Sequence, residues 1–385
     1  MTDVHAKTDA HATTDAYAMT DVRHARQLHL MRAASALGIT VQDRMPELGV
    51  DLVVYRHGAK SVPVLEGRYD HDLRARDFFL TEDKHTTKLL LREAGFATPR
   101  GFVFAFTDTT RSEGDNEAAE EADEEADDDL PRLTAFAAEA FAALSADPTS
   151  TDPAFTDPAS TAPASIAPVV AKPRAGMRGD AVRMGLDTAA AVVDHIAGRR
   201  HLFRSWIVEE QVEGRDLRLQ LVDGELVAAC VREPASVTGD GRTPLAELIE
   251  RHRTAVAAAN PDNRLVVDAE TQDLLAAQGL GLDDVPTPDR VVRLKRTANL
   301  AKGGVAVDVT DGLHPDFGPW AASVAKLFGT RILAIDALCA APHEPPTAGA
   351  TILEVNTAPE WVHHTFSREG THDIATHILR SWFDL

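Results

Sequence analysis

Aromatic residues make up only 5% of the 385-residue chain, cysteine occurs twice, and arginine far outnumbers lysine. Two cysteines cannot build a disulfide framework. Cys230 and Cys339 also lack the close spacing of a zinc site or a redox pair, and both lie in apolar, strand-like runs, so they read as reduced, buried thiols. Long hydrophobic runs are missing too. The longest, 189–193 and 331–341, are too short or too interrupted to span a bilayer. No charged-then-apolar signal opens the chain, so a cytoplasmic protein without a membrane partner is expected. Basic charge is also scarce. The formal charge of -21 disfavours nucleic acid, which requires a basic face.

The length suffices for two or three packed subdomains, and the apolar share of 44% is ordinary for a globular chain. Eleven of the negative charges fall between Glu113 and Asp129, so about half the excess is one local tract. The first 26 residues repeat a hexad through Thr2-Asp3, Thr8-Asp9, Thr14-Asp15 and Thr20-Asp21. That pattern reads as a disordered tail, with metal binding through His5 and His11 as the alternative. Residues 108–168 run from the acidic tract through a short helical stretch at 133–144 into a Pro/Ser/Thr-rich segment. They read as a low-complexity insertion that cannot bury enough apolar surface to order itself.

Elsewhere the pattern alternates between helix and strand. Leu28, Met31, Ala34 and Leu37 suit one helical face, 51–55 reads as a strand, and 81–96 as one helix capped by Thr81 and stopped by Gly95. Strands are expected near 168–172, 205–210, 217–222, 225–232, 290–293, 305–309, 332–338 and 352–355. Helices are expected near 188–197, 244–258, 317–328 and 374–383. Several strands are hairpin neighbours, as across Asp223-Gly224, so the fold class is α+β, mixed sheets with covering helices.

Two strands carry acids inside apolar runs: Ile332-Leu-Ala-Ile-Asp336 and Thr351-Ile-Leu-Glu354-Val-Asn356. Alternation places Glu354 and Asn356 on one face, with Leu353 and Val355 toward the core. With Asp336 on the adjacent strand, three oxygen ligands converge, the donor set Mg²⁺ takes. Upstream, Val170-Ala-Lys172-Pro-Arg-Ala-Gly176-Met-Arg-Gly179 is a strand ending in lysine and a glycine-containing loop, which suits a polyphosphate. Next, Ile207-Val-Glu209-Glu210-Gln-Val212-Glu-Gly214-Arg-Asp216 reads as strand, turn, strand.

The order of Asp83-Lys84, Lys172-Pro173, Glu209 through Asp216, Asp336 and Glu354-Val-Asn356 resembles the ATP-grasp superfamily. Arg232-Glu-Pro234-Ala-Ser-Val-Thr-Gly239-Asp240-Gly241, Asn299-Leu-Ala-Lys-Gly303-Gly304, Asp308-Val-Thr310-Asp311 and His314-Pro315 look like segments of cyanophycin synthetases and of the ligase half of bifunctional glutathione synthetases. The resemblance covers about residues 75–385 without the acidic insertion. It implies two α/β subdomains clasping ATP (76–385), preceded by a small α/β region at 27–75. Lys84, Lys172, Gly176 and Gly179 would meet the ATP phosphates. Glu209, Glu210 and Val212 would hold adenine, and Asp216 the ribose. Asp336, Glu354 and Asn356 would bind Mg²⁺, or Mn²⁺ in its place. Arg232 and Asn299 match positions near the transferred phosphate.

The implied activity is an ATP-dependent carboxylate–amine ligase working through an acyl phosphate on amino acids or short peptides. Extension of a protein or carrier terminus is the alternative, and a non-catalytic nucleotide-binding module the rival of another class. Cyanophycin synthetases carry a further ligase-like domain after this region, and the bifunctional glutathione enzymes a glutamate–cysteine ligase domain before it. Neither identity is therefore expected to transfer. His363-His364 reads either as a substrate contact or as a polar surface loop. Homo-oligomerisation is left open.

Overall fold

The computed structural model describes residues 23–70, 72–107, 118–145, 167–176, 179–260 and 263–385. The Thr-Asp repeat therefore lies outside the described residues. The chain forms two compact units, residues 1–71 and 72–385. No helix among the described residues is long and apolar enough to cross a membrane.

The smaller unit runs α1 (Ala25–Ala36), β1 (Thr40–Asp43), α2 (Met45–Leu48), β2 (Leu52–His57) and β3 (Lys60–Leu65). The strands pair antiparallel in the order β1-β2-β3. Helix α1 presents a different face from the one its apolar spacing suggests. Leu28 is 39% exposed, while Gln27, Leu30, Ala33 and Ala34 are buried. Polar anchors set this rotation: Asp51 accepts from the His24 backbone N–H at 2.9 Å, and Gln27 donates to Val64 O at 3.5 Å.

Among the described residues the larger unit holds three sheets. A four-stranded antiparallel sheet has the order β4-β7-β5-β6, built from β4 (Gly101–Ala105), β5 (Val169–Pro173), β6 (Arg183–Leu186) and β7 (Ser205–Glu210). Two helices pack on it, α5 (Ala118–Ser145) and α6 (Ala189–Ala197). Helix α5 lies inside the stretch read as an insertion. Its Leu133, Ala137, Ala140, Phe141 and Leu144 recur every three or four residues and are buried with Phe104, Val169, Trp206 and Val208. That stripe supplies the apolar surface that composition alone concealed.

The five-stranded antiparallel sheet has the order β12-β9-β8-β13-β14. Its strands are β8 (Arg215–Val222), β9 (Glu225–Glu233), β12 (Val305–Asp308), β13 (Ile332–Cys339) and β14 (Thr351–Asn356). Leu217, Leu219, Leu221, Ala229, Val231, Leu333 and Ile335 alternate onto one face and pack with Phe317, Ala321 and Val324 of α9 (Phe317–Ala325). The opposite face packs with α10 (Ile374–Phe383), whose Ile374, Ile378 and Leu379 are buried. A third cluster joins β10 (Ser236–Thr238) and β11 (Val291–Arg293) to α7 (Leu245–Ala259) and α8 (Ala269–Ala277).

The single helix expected over 81–96 is two, α3 (Ala75–Glu82) and α4 (Lys84–Glu93). Asp83, not Thr81, is the cap. Its carboxylate accepts from the His85 and Thr86 backbone N–H groups, while Thr81 Oγ1 is engaged with Asp77 O and Phe78 O.

Truncation separates the buried from the exposed side of α5. Leu133→Ala should lower unfolding stability by about 2–5 kcal/mol, as for other buried leucines. Leu130→Ala, at a residue 47% exposed, should change it by less than about 0.5 kcal/mol in a urea titration.

Candidate active site

The face of the five-stranded sheet turned away from α9 carries a row of chemistry-bearing residues. Cross-strand register pairs Glu354 with Asp336, Asp336 with Arg218, Arg218 with Cys230, and Cys230 with Asp308. One ladder row thus crosses all five strands. Directly opposed residues of an antiparallel pair lie about 4.5–5.5 Å apart at Cα, so successive residues of the row are neighbours. In the adjacent row Asp216 pairs with Arg232.

The expected convergence of Asp336, Glu354 and Asn356 is present, but the alternation in β14 differs. Ile352 and Val355 are the buried pair, not Leu353 and Val355. Asp336 pairs with Glu354 while Ala337 pairs with Ile352, which leaves Leu353 as an unpaired bulge residue. The extra residue flips the phase of the strand. It lets Ile352 and Val355 enter the core while Glu354 and Asn356 both face the site. Asn356 Nδ2 donates to Glu354 Oε1 at 3.2 Å.

Charges in this row are compensated unevenly. Arg218 Nη1 donates to Asp336 Oδ1 at 2.7 Å, and Arg232 Nη2 lies 3.3 Å from Asp336 Oδ2. Arg232 also donates to Asp216 Oδ1 through Nε at 2.9 Å and Nη2 at 2.6 Å. Burial works against ionisation of Asp336, yet Arg218 and Arg232 outweigh it and hold its carboxyl at about 2. Burial and then the neighbouring Asp336 push Glu354 up, against Lys84. Asp216 is likewise raised by burial, opposed by Arg232. Adjacent carboxylates with one member raised are a pair short of positive charge.

Strand β5 contributes Lys172, and α4, which packs on β14, contributes Lys84 and Lys88. Glu209 is buried between two lysines, contacting Lys88 Nζ through Oε2 and Lys172 Nζ at 2.5 Å through Oε1. Burial opposes its charge, but Lys172 and Lys88 hold it below the usual range. Burial first, then the Lys172 cation, push Lys88 down to about 7. Lys172 is raised against its burial by Glu209, and Glu354 acts on it in the same sense. Lys84 Nζ donates to Gly176 O at 2.5 Å. Arg174 binds Asp83 through Nε at 2.9 Å and Nη2 at 2.5 Å, joining the start of α4 to the end of β5.

The remaining expected residues fall around this frame. The Glu209 side chain is committed to the lysines, and its backbone lies in the ladder between Gly101 and Val170. Glu210 is tied to Arg100, with its carboxylate accepting from Arg100 Nε at 2.8 Å. Val212 lies in the connection between β7 and β8, which Gly214 makes tight. A Cβ at Gly214, with φ at +154°, would stand 3.0 Å from Cys339 O. Asn299 Oδ1 accepts from Ala301 N–H at 2.8 Å, and its Nδ2 lies 3.5 Å from where a Gly179 Cβ would be. The glycine loop and Asn299 are therefore neighbours.

Two neighbours of these residues, Lys88 and Arg218, were not singled out by motif. Lys88 follows Lys84 by one helical turn, the signal that could have marked it. Arg218 is two residues from Asp216 on the same strand face. His363 and His364 are not a surface loop: both are buried, at 5% and 0% exposure. Burial keeps His363 well below its ordinary value and holds His364 at about 3.

A helix-backed antiparallel sheet bearing a buried lysine, joined through a tight connection to a second sheet bearing paired acids, is the ATP-grasp fold. No family model matches the chain. Cyanophycin synthetase of Synechocystis sp. (strain ATCC 27184 / PCC 6803 / Kazusa) is 36% identical over 224 residues, 56% of this chain and 26% of the relative. The glutathione biosynthesis bifunctional protein of Mannheimia succiniciproducens is 29% identical over 171 residues, 43% of this chain and 23% of the relative. The crystal structure of a bifunctional glutathione synthetase from Pasteurella multocida superimposes with a TM-score of 0.58 at 20% identity, over 93% of this chain and 44% of that one. The chain thus spans about a quarter of the length of these curated relatives.

Glu209→Gln should cost about 3–5 kcal/mol, because it strands two buried ammonium groups. Lys88 titrates lower in the folded chain (about 7) than its ordinary value of 10.5, so the unfolded chain binds more protons between those values. Its contribution to stability therefore rises with pH across that window, and its penalty is complete below about 7. Urea midpoints at pH 7 and 9 should show a gain in the native chain that Lys88→Met lacks.

Proposed function

We propose that the chain is an ATP-dependent carboxylate–amine ligase, forming an amide through an acyl phosphate on amino acids or short peptides. The observation that carries this reading is the Asp336–Glu354 pair: a buried and a half-buried acid in direct register, the second raised by its surroundings and then by the first, with Lys84 and Lys172 within electrostatic range of Glu354. The hard oxygen set of Asp336, Glu354 and Asn356 fits Mg²⁺, which when bound supplies charge neutralisation to the phosphates of ATP. Lys84 and Lys172 offset the remaining phosphate charge. The connection holding Val212 receives the adenine, and Asp216 meets the ribose.

Arg232, bridging Asp216 and Asp336, is positioned to steady the phosphoryl group as the substrate carboxylate attacks in line. Asn299 and the glycines at 176 and 179 cover that reacting end and limit water, which would otherwise hydrolyse the acyl phosphate. An amine then displaces phosphate. Similarity to cyanophycin synthetase and to the bifunctional glutathione protein supports amino acids or peptides as both reactants.

Incubation with Mg-ATP and pooled amino acids should release ADP only when amino acids are present, with new amide masses by mass spectrometry. ADP formed only with a protein acceptor would reassign the amine. ATP binding without ADP under every condition would overturn the ligase reading. Glu354→Gln should lower turnover about 10²–10³-fold, the usual loss for one charge stabiliser. Because Asp336 makes ionised Glu354 unfavourable, the same change should leave thermal unfolding unchanged or raised.

A further inference from the structure

The row that carries Asp336 continues to Cys230, and a loop folds back over it. Beyond β14 the chain is pinned where Arg218 Nη2 donates to Glu360 O at 3.1 Å, and a short 3-10 turn (Val362–Thr365) then lies against β9 and β12. This turn brings His363 and His364 over Cys230. One donor atom from each of the three residues lies within 4.8 Å of the other two. Cys230 and His364 are fully buried and His363 is 5% exposed. The Nε2 of His363 and both ring nitrogens of His364 are buried without a hydrogen-bond partner. The two imidazole centroids stand 4.3 Å apart, tilted by 39°.

Buried polar atoms are paired in nearly all folds, and groups left bare call for a ligand. Here two imidazoles with bare nitrogens stand beside a thiol, and no acceptor or donor among the described residues serves those nitrogens. We propose that Cys230, His363 and His364 form a binding site for a zinc-class divalent cation, distinct from the oxygen site at Asp336 and Glu354. Metal–sulfur and metal–nitrogen bonds of about 2.3 and 2.0 Å place tetrahedral ligands roughly 3.5 Å apart. The three donors therefore need to close by only about 1 Å. A thiolate with two imidazoles selects zinc or cobalt over magnesium.

On binding, the Cys230 thiol loses its proton to solvent and its sulfur takes the metal. The fourth position goes to water or an added donor. Arg218 on one neighbouring strand opposes the added charge, and Asp308 on the other offsets it. Asp308 is held in turn by His372 Nε2 at 2.8 Å. The proposal does not depend on the ligase reading, and its test reads metal rather than turnover.

The full chain, stripped by chelator and kept in excess Mg²⁺, is titrated with Co²⁺. One equivalent should bind with an intense near-ultraviolet thiolate-to-cobalt band and visible bands of four-coordinate cobalt, and Zn²⁺ should displace it. Cys230→Ser should lose the near-ultraviolet band, Cys339→Ser should keep it, and His363→Gln should weaken binding more than about tenfold. Histidines of residues 1–26 can bind cobalt but carry no sulfur, so they cannot produce that band. Its absence from the native chain, or its persistence in Cys230→Ser, would overturn the site.

Discussion

Burial of charge on one face of an antiparallel sheet is the constraint around which the larger unit is built. Asp336 sits 2% exposed, where an isolated carboxylate would take up a proton rather than remain ionised. Arg218 and Arg232 each take one of its oxygens, and Arg232 reaches on to Asp216. Two arginines thus serve two aspartates, and Glu354 is the acid left over. The imbalance is local and directional. It leaves negative charge at the β14 edge, on the side where Lys84 and Lys172 act. The apolar face of the same sheet, packed on α9, keeps these groups in register by fixing every strand's alternation.

The contact between α4 and β5 poses the reverse problem. Lys88 and Lys172 share one carboxylate, and burial together with the second cation pushes Lys88 down. The Asp83–Arg174 pair locks the first turn of α4 to the end of β5, so Lys84 and Lys172 are set by one rigid corner. That corner explains why an aspartate precedes the lysine at the start of α4: it caps the helix and takes the arginine with the same carboxylate.

Much of this was legible in the sequence because the strands are short, alternating and bounded by turn residues. Acids among apolar residues at 336 and 354 marked two strands that the fold sets side by side, and ordered motifs announced the fold. Three things escaped. A one-residue bulge has no compositional signature, so the alternation of β14 was read out of phase. The apolar stripe of α5 begins only after the acidic tract, and the charge density of 113–129 masked it. Lys88 and the paired histidines take their meaning from partners more than a hundred residues away, Glu209 and Cys230. No local window contains those partners, and only the folded arrangement shows that polar residues at such positions are interior.

Leu353 has a bearing on how sequences of this kind tolerate change in length. With the bulge residue removed, Ile352 would lead directly into Glu354 and the strand would alternate regularly, Val355 still inward and Glu354 and Asn356 still on the site face. Substitution at Leu353 is tolerated for a related reason, since its side chain is only half-buried and its backbone is unpaired. What is held fixed here is the surface each flanking residue occupies rather than the number of residues between them. A one-residue gap at this position between relatives would therefore leave the two acid-bearing strands in register.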